Sequence, residues 1–142
     1  MNFWRFLLPS SLGFTLMTTR QALVDKLKGA PPRTVQAARY VAEHARENDP
    51  ADVLRTLDRF ASEERWLMSV GPEKGPLIQE LSTRLPPDAR ILELGAYAGY
   101  SSIMLASAFG PDARILSVEI NKDAVESTRS NVQVAGLSEQ IH

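Results

Sequence analysis

The spacing of apolar positions changes several times along the chain, and each change predicts an element. From Thr34 to Glu47, apolar residues fall at Val35, Ala38, Val41, Ala42 and Ala45. Steps of three and four residues predict a helix. Asn48-Asp49-Pro50 breaks that pattern and starts another. Asp49 suits an N-cap, Pro50 the first helical position and Asp52 the first turn. Val53, Leu54, Leu57, Phe60 and Ala61 then mark the buried face of a second helix. From Trp66 to Gly75, large apolar residues give way to Gly71, Pro72 and Gly75, which predicts a loop. Pro76 opens a third helix to Leu85, with Leu77, Ile78 and Leu81 inward, and Pro86-Pro87 ends it.

Beyond Ala89 the pattern shortens. Ile91, Leu92 and Leu94 form an apolar run too short for a helix, which predicts a buried strand. Gly95 and Gly99 bracket a turn, and Tyr100 to Ala108 reads as the helix that follows. After the turn Gly110-Pro111-Asp112, a second strand is predicted over Arg114 to Ile120, and a helix over Asp123 to Ala135 with Gly136 as its C-cap. Leu137 to Ile141 turns back toward a third strand. Strand, helix, strand, helix predicts an α/β fold on a parallel sheet. Such a sheet needs several strands and both faces covered, so the chain is expected to be truncated before its third strand. Upstream, Thr19 to Lys28 predicts a short helix closed by Gly29 and Pro31-Pro32.

Composition narrows the function classes. The chain has 142 residues, enough for one small domain, and is 44% hydrophobic and 23% charged. A net charge of −1 gives no electrostatic reason for a nucleic-acid or acidic-membrane partner. With no cysteine there is no disulfide, thiolate metal site or cysteine nucleophile, which suits a reducing, cytoplasmic setting. Met1 to Thr19 carries one charge, Arg5, among apolar clusters interrupted by Pro9, Ser10, Ser11 and Gly13. Its uncharged part is shorter than the roughly 20 residues that span a bilayer. Residues 1–30 are therefore expected to be a weakly apolar extension; Met1 would lie upstream of a natural start at Met17, and weak membrane association through residues 1–19 is the alternative.

Candidate chemistry gathers at the glycine turn. A strand that feeds a helix through such a turn leaves backbone N–H groups free to hold an anionic group. A dinucleotide fingerprint would place a second glycine two residues after Gly95. Tyr97 stands there, preceded by Ala96, so a nucleoside ligand without a pyrophosphate fits better. Glu93 is a carboxylate among apolar residues, which is costly unless paired. Glu119, roughly 20 residues past the turn, is placed to accept both hydroxyls of a ribose. Trp66 and Met68 suit either a core or the wall of a flat apolar pocket. His44 has no second ligand candidate one turn away and is expected to be a surface or boundary residue.

With these residues in view, the chain resembles the N-terminal half of the catechol O-methyltransferase family, class I S-adenosylmethionine-dependent methyltransferases with a Rossmann-like fold. The resemblance runs from about Ala37 to Ile141 and is densest over Glu64 to Gly75, Leu92 to Ser101 and Leu116 to Asn121. It implies that residues 31–142 are the N-terminal part of a methyltransferase domain. It also implies a cofactor pocket of Val70, Glu93, Gly95, Tyr97, Ser101, Glu119 and Ile120. Val70 would contact the methionine end, Glu93 and Ser101 the amino acid part, Glu119 the ribose and Ile120 the adenine. Trp66 and Met68 would wall a small-molecule catechol site. The family's Mg²⁺ ligands and general base match no position in this chain. The chain alone is therefore expected to lack a catalytic residue, a metal site and turnover. Two other readings stay open: a non-catalytic short form that binds cofactor weakly or pairs with another chain, and a Mg²⁺-dependent O-methyltransferase acting on caffeoyl thioesters.

Overall fold

The computed structural model describes residues 29–142. The chain divides into two units, Met1–Pro31 and Pro32–His142. The expectations for Met1 to Thr19 and for a helix over Thr19 to Lys28 lie outside the described residues. In the second unit, five α-helices and two strands occur in the order α1 Arg33–His44, α2 Pro50–Arg59, α3 Gly75–Arg84, β1 Arg90–Leu94, α4 Tyr100–Phe109, β2 Arg114–Val118 and α5 Lys122–Val134. Among the described residues, no helix is long and apolar enough to cross a membrane.

Local chemistry sets the boundaries. The Asp49 side chain accepts from the Asp52 amide at 2.9 Å, and Pro50 fills the first turn of α2, where its missing N–H costs nothing. A π-helical turn, Phe60–Glu64, extends α2, closed by the Arg65 amide on the Phe60 carbonyl at 3.0 Å. Asn121 caps α5 through the Ala124 amide. At its other end Gly136 has φ +73°, and the Leu137 amide reaches back to the Val132 carbonyl at 3.0 Å. A Cβ on Gly136 would come within 2.6 Å of Asn48 Oδ1, so this cap also lets the α1–α2 connection pass close by.

The two strands are parallel and in register, Arg90 opposite Arg114 through to Leu94 opposite Val118. Ile141 bridges to Ile115 in parallel on the other edge of β2, where the third strand was expected. The core lies on one side of this sheet. Ile115, Ile103 and Val132 meet Val41, Val53, Leu57 and Phe60 there, and α1 packs along α5.

Two expectations about burial fail. β1 is not buried on both faces: Leu92 and Leu94 are 61% and 77% exposed, and Leu116, Val118 and Ile120 are exposed with them. Side chains alternate along a strand, so these positions share the face that no described helix covers. In α3, Ile78 packs against the core but Leu77 and Leu81 point outward, because the helix packs mainly on α4. The helical period expected over Thr34 to Glu47 is present as α1, whose buried stripe is Thr34, Ala37, Ala38 and Val41.

Candidate functional site

The carboxyl ends of β1 and β2 carry the expected constellation. The Gly95 amide donates to the Val118 carbonyl at 2.8 Å, so the turn begins as the last rung of the ladder. Three residues in it have positive φ: Gly95, Tyr97 and Gly99. For Tyr97 this backbone is uncommon, and a hydrogen bond holds it: its N–H donates to Glu119 Oε2 at 3.0 Å. The other carboxylate oxygen of Glu119 accepts from the amides of Ile120 and Asn121 at 2.8 and 2.9 Å. The Asn121 and Tyr97 amides hold this carboxyl below the ordinary glutamate range, against a partial desolvation that pushes it up. Glu119 is thus already joined to the glycine turn.

Helix α5 fixes the other side of the turn. The Thr128 hydroxyl donates to the Tyr97 carbonyl at 3.2 Å, and Asn131 Nδ2 to the Ala98 carbonyl at 2.9 Å. Gly99 lies so close that a Cβ there would meet Thr128 Cγ2 at 3.0 Å. With these carbonyls drawn toward α5, the chain enters α4 with no side chain capping its first turn. Open N–H groups and the helix dipole make that turn a place for negative charge. Ser101 sits in it, half-buried.

Glu93 lies inside the sheet, opposite Ser117. The hydroxyls of Ser102 and Ser117 both donate to its Oε2. Its Oε1 is buried with no partner. An unpaired buried carboxylate oxygen is costly, so this atom is the feature most in need of a donor. Ser102 and Ser117 were not anticipated. The parallel register places Ser117 beside Glu93, so pairing Ile91 with Ile115 would have found it.

The remaining expected residues do not all converge. Trp66 and Val70 line an open cleft of ≈ 690 Å³ with Asp58, Leu67, Gly71 and Pro72. Arg33 donates to the Trp66 carbonyl at 3.3 Å. The half-buried Tyr97 hydroxyl is raised above the ordinary range by burial, with the Met68 backbone and the Arg33 charge pulling the other way, so Tyr97 links the turn to this loop. Met68 is 66% exposed and lies outside the lining of that cleft, while the buried residue between it and Trp66 is Leu67. Ile120 is 98% exposed, with nothing packed on it. His44 is on the surface, stacked on Tyr40 at 4.1 Å between ring centroids. Among the described residues, no three His, Asp or Glu side chains gather as metal ligands would.

Residues 43–142 match the family described as O-methyltransferase. Catechol O-methyltransferase of Mus musculus is 39% identical over 103 residues, covering 72% of this chain and 38% of that protein. Among solved structures, a putative caffeoyl-CoA O-methyltransferase from Staphylococcus aureus superposes with a TM-score of 0.55 at 26% identity, covering 63% of this chain and 41% of that one. An O-methyltransferase from Bacillus cereus, solved in complex with SAH, gives 0.54 at 25% identity, covering 73% and 46%. The chain thus spans well under two thirds of the relatives it matches. With the family match extending over the glycine turn, both strands and the helices that hold them, the chain belongs to the O-methyltransferase family.

Proposed function

We propose that this chain is the cofactor-holding half of an S-adenosylmethionine-dependent O-methyltransferase that acts on catechols. The observation that carries the reading is the orphaned Glu93 Oε1 beside the uncapped first turn of α4. It offers an acceptor for an ammonium next to N–H donors for a carboxylate, the two ends of an amino acid. The similarity to the mouse catechol enzyme and to the SAH-bound Bacillus protein supports the same assignment.

In this reading Glu93 and Ser101 hold the amino acid end, and Gly95 and Tyr97 shape the turn against it. Glu119 takes the ribose hydroxyls with whatever acceptor capacity its backbone donors leave. Ile120 covers one face of the base, burying apolar area that is now open to water. Val70 closes the methionine end, and Trp66 and Met68 wall the substrate. The bound cofactor supplies a sulfonium methyl group for transfer to a phenolic oxygen. Mg²⁺ and its ligands, which the resemblance implies for the whole family enzyme, match no position in this chain, and the residues named here would bind and orient.

Isothermal titration of the chain with S-adenosylhomocysteine tests the reading. Binding is expected, and Glu119→Ala should weaken it by about tenfold or more, the worth of a hydrogen bond to a charged group. No binding to the folded chain would refute it. Catechol should quench the fluorescence of Trp66 and not that of a Trp66→Phe variant. The chain alone should show no methyl transfer to catechol with Mg²⁺ present. The Staphylococcus structure favours a caffeoyl thioester as the alternative acceptor, and stronger Trp66 quenching by that thioester than by catechol would select it.

A further inference from the structure

A second cleft, of ≈ 380 Å³, lies where α2, α3 and α4 meet. Leu54, Pro72, Met104 and Ala108 give it an apolar lining, and Arg55, Asp58, Gln79, Tyr100 and Ser107 bring polar atoms to it, the Arg55 charge being paired with Asp52. None of the residues assigned to cofactor or catechol lines it. A cleft of this size, mostly apolar with a few converging polar groups, is the usual form of a small-molecule site.

The charge arithmetic around Asp58 is unbalanced. Its Oδ2 accepts from the Tyr100 hydroxyl at 3.1 Å. Both arginines near it on α2 are committed elsewhere. Arg55 pairs with Asp52 at 2.9 Å, and the Arg59 guanidinium lies over the Tyr40 ring at 5.7 Å. Among the described residues, no ion pair neutralises Asp58. Burial pushes its carboxyl above the ordinary range, the Tyr100 hydrogen bond notwithstanding. A partly desolvated carboxylate without a counter-ion favours a cation from outside.

We infer that this cleft binds a small organic monocation, a protonated amine on an apolar body, with the ammonium on Asp58 and the body against Leu54, Pro72 and Met104. The assignment does not rest on the methyltransferase reading, although Asp58 and Pro72 also border the cleft that carries Trp66 and Val70. An amine site here would place an apolar cation behind Pro72, at the root of the loop that carries Val70 and Trp66.

The test compares two probes of the same shape, cyclohexylmethylamine and cyclohexylmethanol, titrated into the 142-residue chain at pH 7 with the Met104 methyl resonance as the local reporter. The amine should bind about tenfold tighter than the alcohol and shift the Met104 signal. Asp58→Asn, which can still accept from Tyr100, should erase that difference. Gln79→Trp, at an exposed position on α3, should block the amine without lowering the melting temperature. Equal binding of the two probes, an unmoved Met104 signal, or an amine preference that survives Asp58→Asn would overturn the assignment. S-adenosylhomocysteine titration of the same samples reports separately on the cofactor site.

Discussion

The two faces of one small sheet behave as if they belonged to different proteins. On one face Ile91 and Ile115 pack into the core, and Glu93 and Ser117 form a hydrogen-bonded pair under the first turn of α4. On the other, Leu92, Leu94, Leu116 and Val118 stand in water, although they are as apolar as their neighbours. Hydrophobicity alone therefore does not say which side is buried. What separates the faces is the presence of α4 and α5, joined to the strands by short connections and locked by Thr128, Asn131 and Glu119. The face with a helical layer also holds the candidate chemistry.

The sharpest way to break this comparison is to truncate adjacent residues of β2. Ile115 is fully buried, and Ile115→Ala should cost about 2–5 kcal/mol, as core truncations do. Leu116→Ala, one residue on but facing out, should cost well under about 1 kcal/mol. Urea denaturation of both variants gives the difference. Equal losses would mean that both faces are covered in solution. The next effect in size sits at the turn. Gly99→Ala adds a Cβ against Thr128 at φ +76° and should cost about 1–3 kcal/mol, since both the backbone and the contact resist it. The same change should weaken S-adenosylhomocysteine binding by moving the start of α4.

Much of the packed face was legible in the sequence. Period changes placed the five α-helices and two strands of the described residues, and the spacing from the glycine turn singled out Glu119, whose carboxylate accepts from the Tyr97 amide. The asymmetry was not legible. An apolar run such as Ile91-Leu92-Glu93-Leu94 reads the same whether one layer or two will cover it, because a strand exposes alternate residues only where a layer is absent. Leu77 and Leu81 misled for the same reason. The polar pairs were hidden for a different one. Ser102 and Ser117 are unremarkable until the register sets one across from Glu93 and the helix sets the other above it. Asp58 and Tyr100 are 42 residues apart, and no local spacing predicts their hydrogen bond.

A smaller effect should come from acid. The folded-state pKa of Glu119 is depressed, so its contribution is fully present above the ordinary glutamate value of about 4.3 and is lost as pH falls through the depressed one. Glu119→Gln should cost on the order of 1 kcal/mol near neutral pH. The gap to the unmodified chain should narrow steadily below about pH 4, as measured by denaturation across pH. A gap that stayed constant down to about pH 2 would mean that the carboxylate charge is not what holds the turn.

The smallest stability effect is expected where the sheet meets water. Leu94→Lys changes the most exposed apolar residue of β1 to a charged one, far from the Arg90–Arg114 end of the strands. Because the leucine buries little, stability should move by no more than about 0.5 kcal/mol. Association should respond more. An apolar sheet face beside an open strand edge favours contact between copies, and a lysine there opposes it. Sedimentation velocity across a concentration series should therefore show less self-association for the variant at nearly unchanged melting temperature. A stability loss comparable to that of Ile115→Ala, with association unchanged, would mean that Leu94 is already covered within the chain, and the contrast between the faces would then lie in the strands themselves rather than in the helices that pack on one of them.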